Sequence, residues 1–291
     1  MKTNLNILTV DLEEWFVVEV LSGCYPVDDW TELPSTVVKN CHRLLELFHQ
    51  KEVRATWFVL GWIADHYPEL IHEITAYGHE IGCHSYHHMR VDKMGPDIFR
   101  DDTRRAMEAI ERASNIRPVG YRAPSWSISS ATPWAFEILA ELGFTYDSSI
   151  FPIKHDLYGM PSGPRKLFKM TFRNGRSLYE IPSSTLRILG RNIPVSGGGY
   201  LRHSPYWYTR MMIKRLNRNG MPVMIYLHPW EIDPDLPRIE DLTAMQKFRT
   251  YGSTALFKYK LERLLSDFDF INAADYISVK TRRKIGFERS D

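Results

Sequence analysis

His79-Glu80-Ile81-Gly82-Cys83-His84-Ser85-Tyr86-His87-His88 reads as a short apolar strand ending at Gly82, then a turn that opens into a helix. In a helix from His84 onward, His84 and His88 stand one turn apart on a single face. Two imidazoles at that spacing form a metal half-site. One carboxylate completes it to a facial triad that leaves positions for water and substrate. The same spacing also suits ordinary structural histidines, so its weight depends on the rest of the chain. Cys83 adjoins His84, but its place at the strand end points it away from a shared ion.

Working outward, the preceding segments alternate strand and helix. Residues 5 to 10 run apolar and end in Asp11-Leu12-Glu13-Glu14-Trp15-Phe16. On a strand, Asp11 and Glu13 point to one side and Leu12 and Glu14 to the other. Two neighbouring carboxylates repel unless a cation or a proton neutralises one of them. Glu13 on a metal with Asp11 beside it satisfies that requirement, and so does a solvated acidic turn. Apolar positions 37, 38, 41, 44, 45, 47 and 48 have helical spacing, Arg54 to Gly61 is a strand closed by glycine, and residues 62 to 77 read as one helix.

Downstream the cycle repeats: helix 96–114, strand 118–121, helix 131–143 and strand 145–148. Strands and helices in this rhythm predict α/β architecture with parallel βα units. Such sheets place functional residues at the C-terminal ends of their strands. Asp11 and Glu13, His84, Arg122-Ala123-Pro124-Ser125-Trp126, Asp147-Ser148-Ser149 and His228 after Met221 to Leu227 all sit there. Five polar clusters converging on one rim make the case for a site.

Residues 153 to 205 interrupt the rhythm as an insertion, with a hairpin signalled by Arg173-Asn174-Gly175-Arg176. Gly197-Gly198-Gly199-Tyr200 is a flexible turn where backbone approaches a ligand, or a plain structural loop. A C-terminal extension covers about 234–291, with a helix at 254–267 and a strand at 269–272; its tail Lys280-Thr281-Arg282-Arg283-Lys284 is expected to be solvated. No linker separates these parts, so residues 1–291 are read as one catalytic domain.

The 291 residues suffice for a full core, and the formal net charge of +2 gives no reason to expect nucleic acid or an anionic membrane as partner. Three cysteines with no CxxC pair fit reduced thiols. No apolar run reaches the length of a membrane span, and the first ten residues lack a leader pattern, so the expected compartment is cytoplasmic. Oligomeric state is not readable.

The order DxE, HSxxH, RxP and a strand ending in LH, with GHEIGCHSYHH and YRAPSWS, resembles the polysaccharide deacetylase family (NodB homology domain, carbohydrate esterase family 4) over residues 5 to about 150 and 220 to 275. YDSSIFP, GGGY and HPWEID resemble its subgroup with a DUF3473-like C-terminal segment, which is found with exopolysaccharide gene clusters. The resemblance implies a distorted (β/α)7 barrel and metal-dependent hydrolysis of an N-acetyl group on a sugar or polysaccharide. Carried over by position, Asp11 is similar to the catalytic base, Glu13, His84 and His88 to the metal ligands, Arg122 to the arginine holding the base, and His228 to the general acid. The backbone N–H near Ser125 is similar to the oxyanion donor, and the metal implied is Zn, with Co, Ni, Mn or Fe as alternatives.

Two departures stand out. Leu12 and Glu13 fill places where the family's first motif usually carries aspartates, and the acid that tunes His228 is unassigned among Asp147, Glu180 and Glu231. Trp126, Tyr200 and Trp230 are candidates for stacking on the sugar, or for the core. The rival expectations are a related C–N hydrolase acting on a small amide or ureide, with or without metal, and an inactive glycan-binding barrel.

Overall fold

A computed structural model describes residues 5–21, 23–156, 158–195 and 197–287, with side chains to residue 282. The expectation of no leader peptide rests partly on residues 1–4, and the solvated tail partly on the side chains of Arg283 and Lys284; these lie outside the described residues.

The first strand, β1 (Asn6–Leu12), is buried along its whole length, as a strand covered on both faces must be. Helix α1 (Val37–Gln50) buries Val37, Cys41, Leu44, Leu45, Leu47 and Phe48, the apolar stripe its sequence predicts. Strand β2 (Thr56–Val59) follows. The helix expected over 62–77 is two, α2 (Gly61–His66) and α3 (Pro68–Ala76). Pro68 cannot donate the hydrogen bond that would continue α2, and it opens α3 instead.

Strand β3 (Glu80–Cys83), helix α4 (Pro96–Ser114), strand β4 (Gly120–Tyr121), helix α5 (Trp134–Leu142) and strand β5 (Tyr146–Asp147) continue the alternation. Next comes the hairpin of β6 (Phe168–Thr171) and β7 (Ser177–Glu180). Strand β7 lies parallel to β5, with Asp147 opposite Glu180, so this hairpin extends the main sheet. A second hairpin, β8 (Thr185–Ile188) and β9 (Arg191–Pro194), had no sequence signal because its turn residues are Leu189 and Gly190. Both have positive φ, as the tight hairpin turn demands.

Helices α6 (Gly198–His203) and α7 (Tyr206–Arg218) lead to strand β10 (Met224–Leu227). Helices α8 (Ala244–Tyr251) and α9 (Thr254–Asp267), strand β11 (Phe270–Ile271) and helix α10 (Ala273–Phe287) complete the chain.

The strands run β10-β1-β2-β3-β4-β5-β7 in parallel order, with β6 antiparallel at the edge and β11 beside the start of β1. Seven parallel strands curl into the distorted (β/α)7 barrel. Among the described residues no ladder joins β10 to the β6–β7 edge. The seam is held by side chains: the Met224 N–H donates to Ser184 Oγ at 2.8 Å, and the Ser148 hydroxyl meets Met224 Sδ at 3.3 Å.

Candidate active site

The segment after β3 is not helical, which corrects the reading of His84 and His88 as residues on one helix face. Ser85 and His88 both have left-handed backbone, with φ of 68° and 57°. The loop is pinned from outside. Gly61 and Trp62 at the start of α2 donate to the carbonyls of Ser85 and Tyr86 at 2.9 and 3.1 Å, and the Tyr86 N–H donates to Asp102 Oδ2 of α4 at 3.0 Å. The His88 N–H turns back onto Ser85 Oγ at 3.0 Å. The two imidazoles nevertheless meet, with ring centroids 5.3 Å apart.

Glu13 joins them from the end of β1. Its Oε2 lies 2.9 Å from His88 Nε2 and 3.9 Å from His84 Nε2, and one donor atom from each residue falls within 4.8 Å of the others. His84 Nδ1 sits 2.7 Å from the Arg122 carbonyl. A carbonyl only accepts, so Nδ1 carries the hydrogen and Nε2 presents its lone pair to Glu13. Burial holds the His84 pKa down at about 4, which favours the neutral form a ligand needs. Burial alone would raise Glu13, but His228, His88 and His84 around it outweigh that and hold it at about 2. One carboxylate oxygen and two imidazole nitrogens, gathered within reach of one another, fit a divalent cation. Cys83 is buried outside this cluster, and burial pushes its thiol up, away from a thiolate ligand.

Arg122 ends β4 and is 1% exposed. Its Nη1 donates to Asp11 Oδ1 at 2.5 Å and to Thr9 Oγ1 at 2.9 Å, its Nη2 to Ser148 Oγ at 3.1 Å, and its Nε to the Ser148 carbonyl at 3.2 Å. Phe58 covers the guanidinium plane at 4.2 Å. A fork held at every corner fixes one oxygen of Asp11 and leaves Oδ2 toward the cleft.

His228 follows β10. Its Nε2 is 3.9 Å from Asp11 Oδ2 and 3.6 Å from Glu13 Oε1, and its Nδ1 is 3.1 Å from Glu231 Oε2. Glu231 is therefore the acid that partners His228. Asp147 and Glu180, the other two candidates, face each other behind Arg122. Burial pushes both carboxyls up, Glu180 the further because Asp147 opposes its charge. Burial works against charge on His228, but Glu13, Glu231 and Asp11 outweigh it and raise its pKa to about 9.

The aromatic candidates divide. Trp230 is buried, stacks on His228 at 5.3 Å and donates from Nε1 to Glu13 Oε1 at 3.3 Å, so it holds the site from behind. Trp126 is packed between Phe151 and Tyr226, and both tryptophans also line the cleft. Tyr200 is half-buried and lines the cleft, as does Ser125, whose φ is 51°. In the glycine turn before Tyr200, Gly197 meets protein, whereas Gly198 and Gly199 line the cleft. A Cβ on Gly197 would lie 2.1 Å from a Tyr226 ring atom.

Sequence reasoning missed two groups. Arg202 is 1% exposed with its Nε 3.3 Å from Glu231 Oε1, and no periodicity marked it. Glu14, on the far side of β1, caps α1 by accepting the N–H groups of Thr36 and Val37 at 3.2 and 3.3 Å.

A barrel with a buried carboxylate–imidazole cluster at the C-terminal ends of its strands defines a class of hydrolase-type sites. Residues 27–146 match the polysaccharide deacetylase family, and residues 148–278 match a domain of unknown function, DUF3473. The chain thus carries a segment similar to the polysaccharide deacetylase family, followed directly by a DUF3473 segment. Asp11 and Glu13 precede the first matched span, and His228 falls in the second. Among curated relatives, a peptidoglycan deacetylase of Helicobacter pylori is 35% identical over 108 residues, 37% of this chain and 36% of that protein. The chain thus aligns with little more than a third of that relative's length. Among solved structures, a putative polysaccharide deacetylase from Mycobacterium smegmatis superposes with a TM-score of 0.60 at 21% identity, covering 96% of this chain and 91% of that one. An allantoinase superposes with a TM-score of 0.61 at 16% identity, covering 94% and 89%. These two likenesses show the shared fold.

Proposed function

We propose that this protein hydrolyses an N-acetyl group from an N-acetylated saccharide, using a divalent cation, in first place zinc, bound by Glu13, His84 and His88. The observation that carries this reading is the meeting of those three donors beside Asp11 and His228. Bound there, the cation would polarise the acetyl carbonyl and acidify a water.

The chain's own groups supply the rest. Asp11 Oδ2, its partner oxygen fixed by Arg122, takes the proton of the attacking water. The new C–O bond forms as the carbonyl electrons move onto oxygen. A backbone N–H near Ser125 steadies that oxygen, an effect worth about 3–4 kcal/mol per donor in comparable sites. His228 Nε2–H then protonates the sugar nitrogen as the C–N bond breaks, and Glu231 holds the ring for that transfer. Tyr200, Trp126 and Trp230 all line the cleft and offer their rings to the sugar.

The test is acetate release by purified protein across N-acetylated saccharides, with and without chelator and added divalent metal. Turnover that chelation abolishes and zinc restores supports the reading. Metal-independent turnover of a small cyclic ureide, and no acetate from any saccharide, would support the alternative that the fold shared with an allantoinase raises. Saturable saccharide binding without turnover of anything would leave an inactive glycan-binding barrel.

A further inference from the structure

The reacting groups lie at the bottom of a well. Asp11 and Glu13 are 3% exposed and His84 is 2% exposed. His228 is the most open of them, with 17% of its side chain exposed. Above them is a cavity of about 690 Å³, within the range of small-ligand pockets.

Its walls form a closed circuit that can be followed residue by residue. Ser125 Oγ donates to Glu19 Oε2 at 3.0 Å, which ties the loop after β4 to the short turn Glu19–Leu21 after β1. From that turn the Val20 carbonyl accepts from Gln246 Nε2 of α8 at 3.4 Å. The C-terminal end of α8 is held by Arg202 of α6, which donates to the Thr250 carbonyl at 2.6 Å and to the Arg249 carbonyl. Tyr200 of α6 then meets Phe151 at 6.3 Å between ring centroids, and Phe151 meets Trp126 at 5.3 Å, beside Ser125 again. Helix α8 thus spans one side of the cleft from α6 to the turn after β1, and among the described residues these contacts join into one ring around it.

A sugar inside a polymer needs two exits, one for the chain on each side. A well ringed by such contacts favours a chain end, a short oligosaccharide or a single sugar. We infer that the substrate enters end-on, so that this protein deacetylates a terminal sugar unit and not internal units of a polymer, and that α8 is the segment imposing this. The inference rests on the deacetylase reading above and adds to it the position of attack. Specificity then comes from exclusion: an internal unit brings its next sugar into the α8 wall before its acetyl group reaches the cluster.

The experiment is to incubate the zinc-loaded protein with N-acetylglucosamine oligomers of two to six units and with a soluble N-acetylated polymer. Acetate is counted per chain and the free amines are located by mass spectrometry. The expected result is one acetyl group lost per chain, from a terminal unit, at a molar rate per chain end that does not grow with length. Free amines at internal units of an otherwise intact polymer overturn the inference and leave the deacetylase reading standing. Acetate from none of these saccharides counts against that reading. Tryptophan fluorescence titrations with trimer and polymer then decide the inference: saturation by the trimer at a lower concentration of chains than of polymer units supports it, and equal binding per sugar unit or no binding overturns it. The paired substitution Glu19→Ala and Gln246→Ala, which cuts two ties of the circuit, is expected to let internal units react, with circular dichroism as the check of folding.

Discussion

Glu231 Oε2 accepts both the ring Nδ1–H and the backbone N–H of His228, each at 3.1 Å, while Arg202 Nε stands 3.3 Å from the other oxygen of the same carboxylate. The imidazole is thus oriented by an acid only three residues on, inside a short 3-10 turn, and that acid is anchored from α6. The ring's free Nε2 faces Asp11 and Glu13, where a leaving amine would need its proton.

Replacing Glu231 with Gln keeps the shape but removes a negative charge from the ring. His228 donates only when protonated, so activity is lost as pH rises through its pKa. Glu231 is among the groups that raise that pKa to about 9, so the alkaline limb of kcat/KM should move to lower pH in Glu231→Gln. The turnover number should fall by roughly tenfold to a hundredfold, the usual cost of losing such a supporting partner. An unchanged alkaline limb would show that Glu231 does not tune the ring.

Arg122 makes a second, separable prediction. It is buried, and its donors serve Asp11, Thr9 and both oxygens of Ser148. Arg122→Met strands the Asp11 carboxylate without its cation and leaves Ser148 short of donors. Breaking a buried pair in this way costs about 3–5 kcal/mol. Thermal melting should therefore drop by many degrees, and the proton-acceptor role of Asp11 should be lost with it. A variant that melts like wild type would mean the cluster does not depend on this fork.

What the chain revealed before folding follows from where its signals were local. Strand ends beside Asp11, His84, Arg122 and His228 were legible because apolar runs stop there and polar residues begin. The partner of His228 could be narrowed to Asp147, Glu180 or Glu231 but not chosen, because that choice depends on which strand neighbours which. Strand β7 sits beside β5, so Glu180 is spent on Asp147 and only Glu231 reaches the ring. The helical reading of residues 84 to 88 failed because Ser85 and His88 take left-handed backbone that only contacts from α2 and α4 enforce. Helices α8 and α10 passed unnoticed, although α8 walls the cleft.

Metal content offers a third prediction, independent of any substrate. His84→Ala removes a nitrogen whose orientation is set by the Arg122 carbonyl, and the pair that remains, Glu13 and His88, is too few donors for tight binding. Elemental analysis of protein loaded with zinc and then desalted should show close to one ion per chain for wild type and a loss of most of it for the variant. His87→Ala should keep its ion, since that ring packs on Trp30 and Tyr86, away from the cluster. Equal zinc in wild type and His84→Ala would rule out the proposed ligand set.

The buried pair behind Arg122 gives the fourth prediction. Glu180 and Asp147 are both fully buried, with Asp147 bonded to Ser149 and Glu180 Oε1 accepting the Ile150 N–H at 2.9 Å. Burial pushes both carboxyls up, Glu180 further because the Asp147 charge opposes its own, so a proton is retained between them where exposed acids have lost theirs. The sign follows from linkage. With folded pKa values above the unfolded ones, the unfolded chain gives up protons first, so the pair's contribution to stability is full at low pH. It declines as pH rises past the ordinary carboxylate value of 4.5 toward the raised folded one. Glu180→Gln replaces the acid by an amide that stays neutral, keeps an acceptor for Ile150 and can donate to Asp147. Denaturant melts across pH 4 to pH 8 should then show the variant gaining on wild type as pH increases, because its curve lacks that decline. A variant that loses ground to wild type with rising pH would mean the two carboxyls do not hold a shared proton.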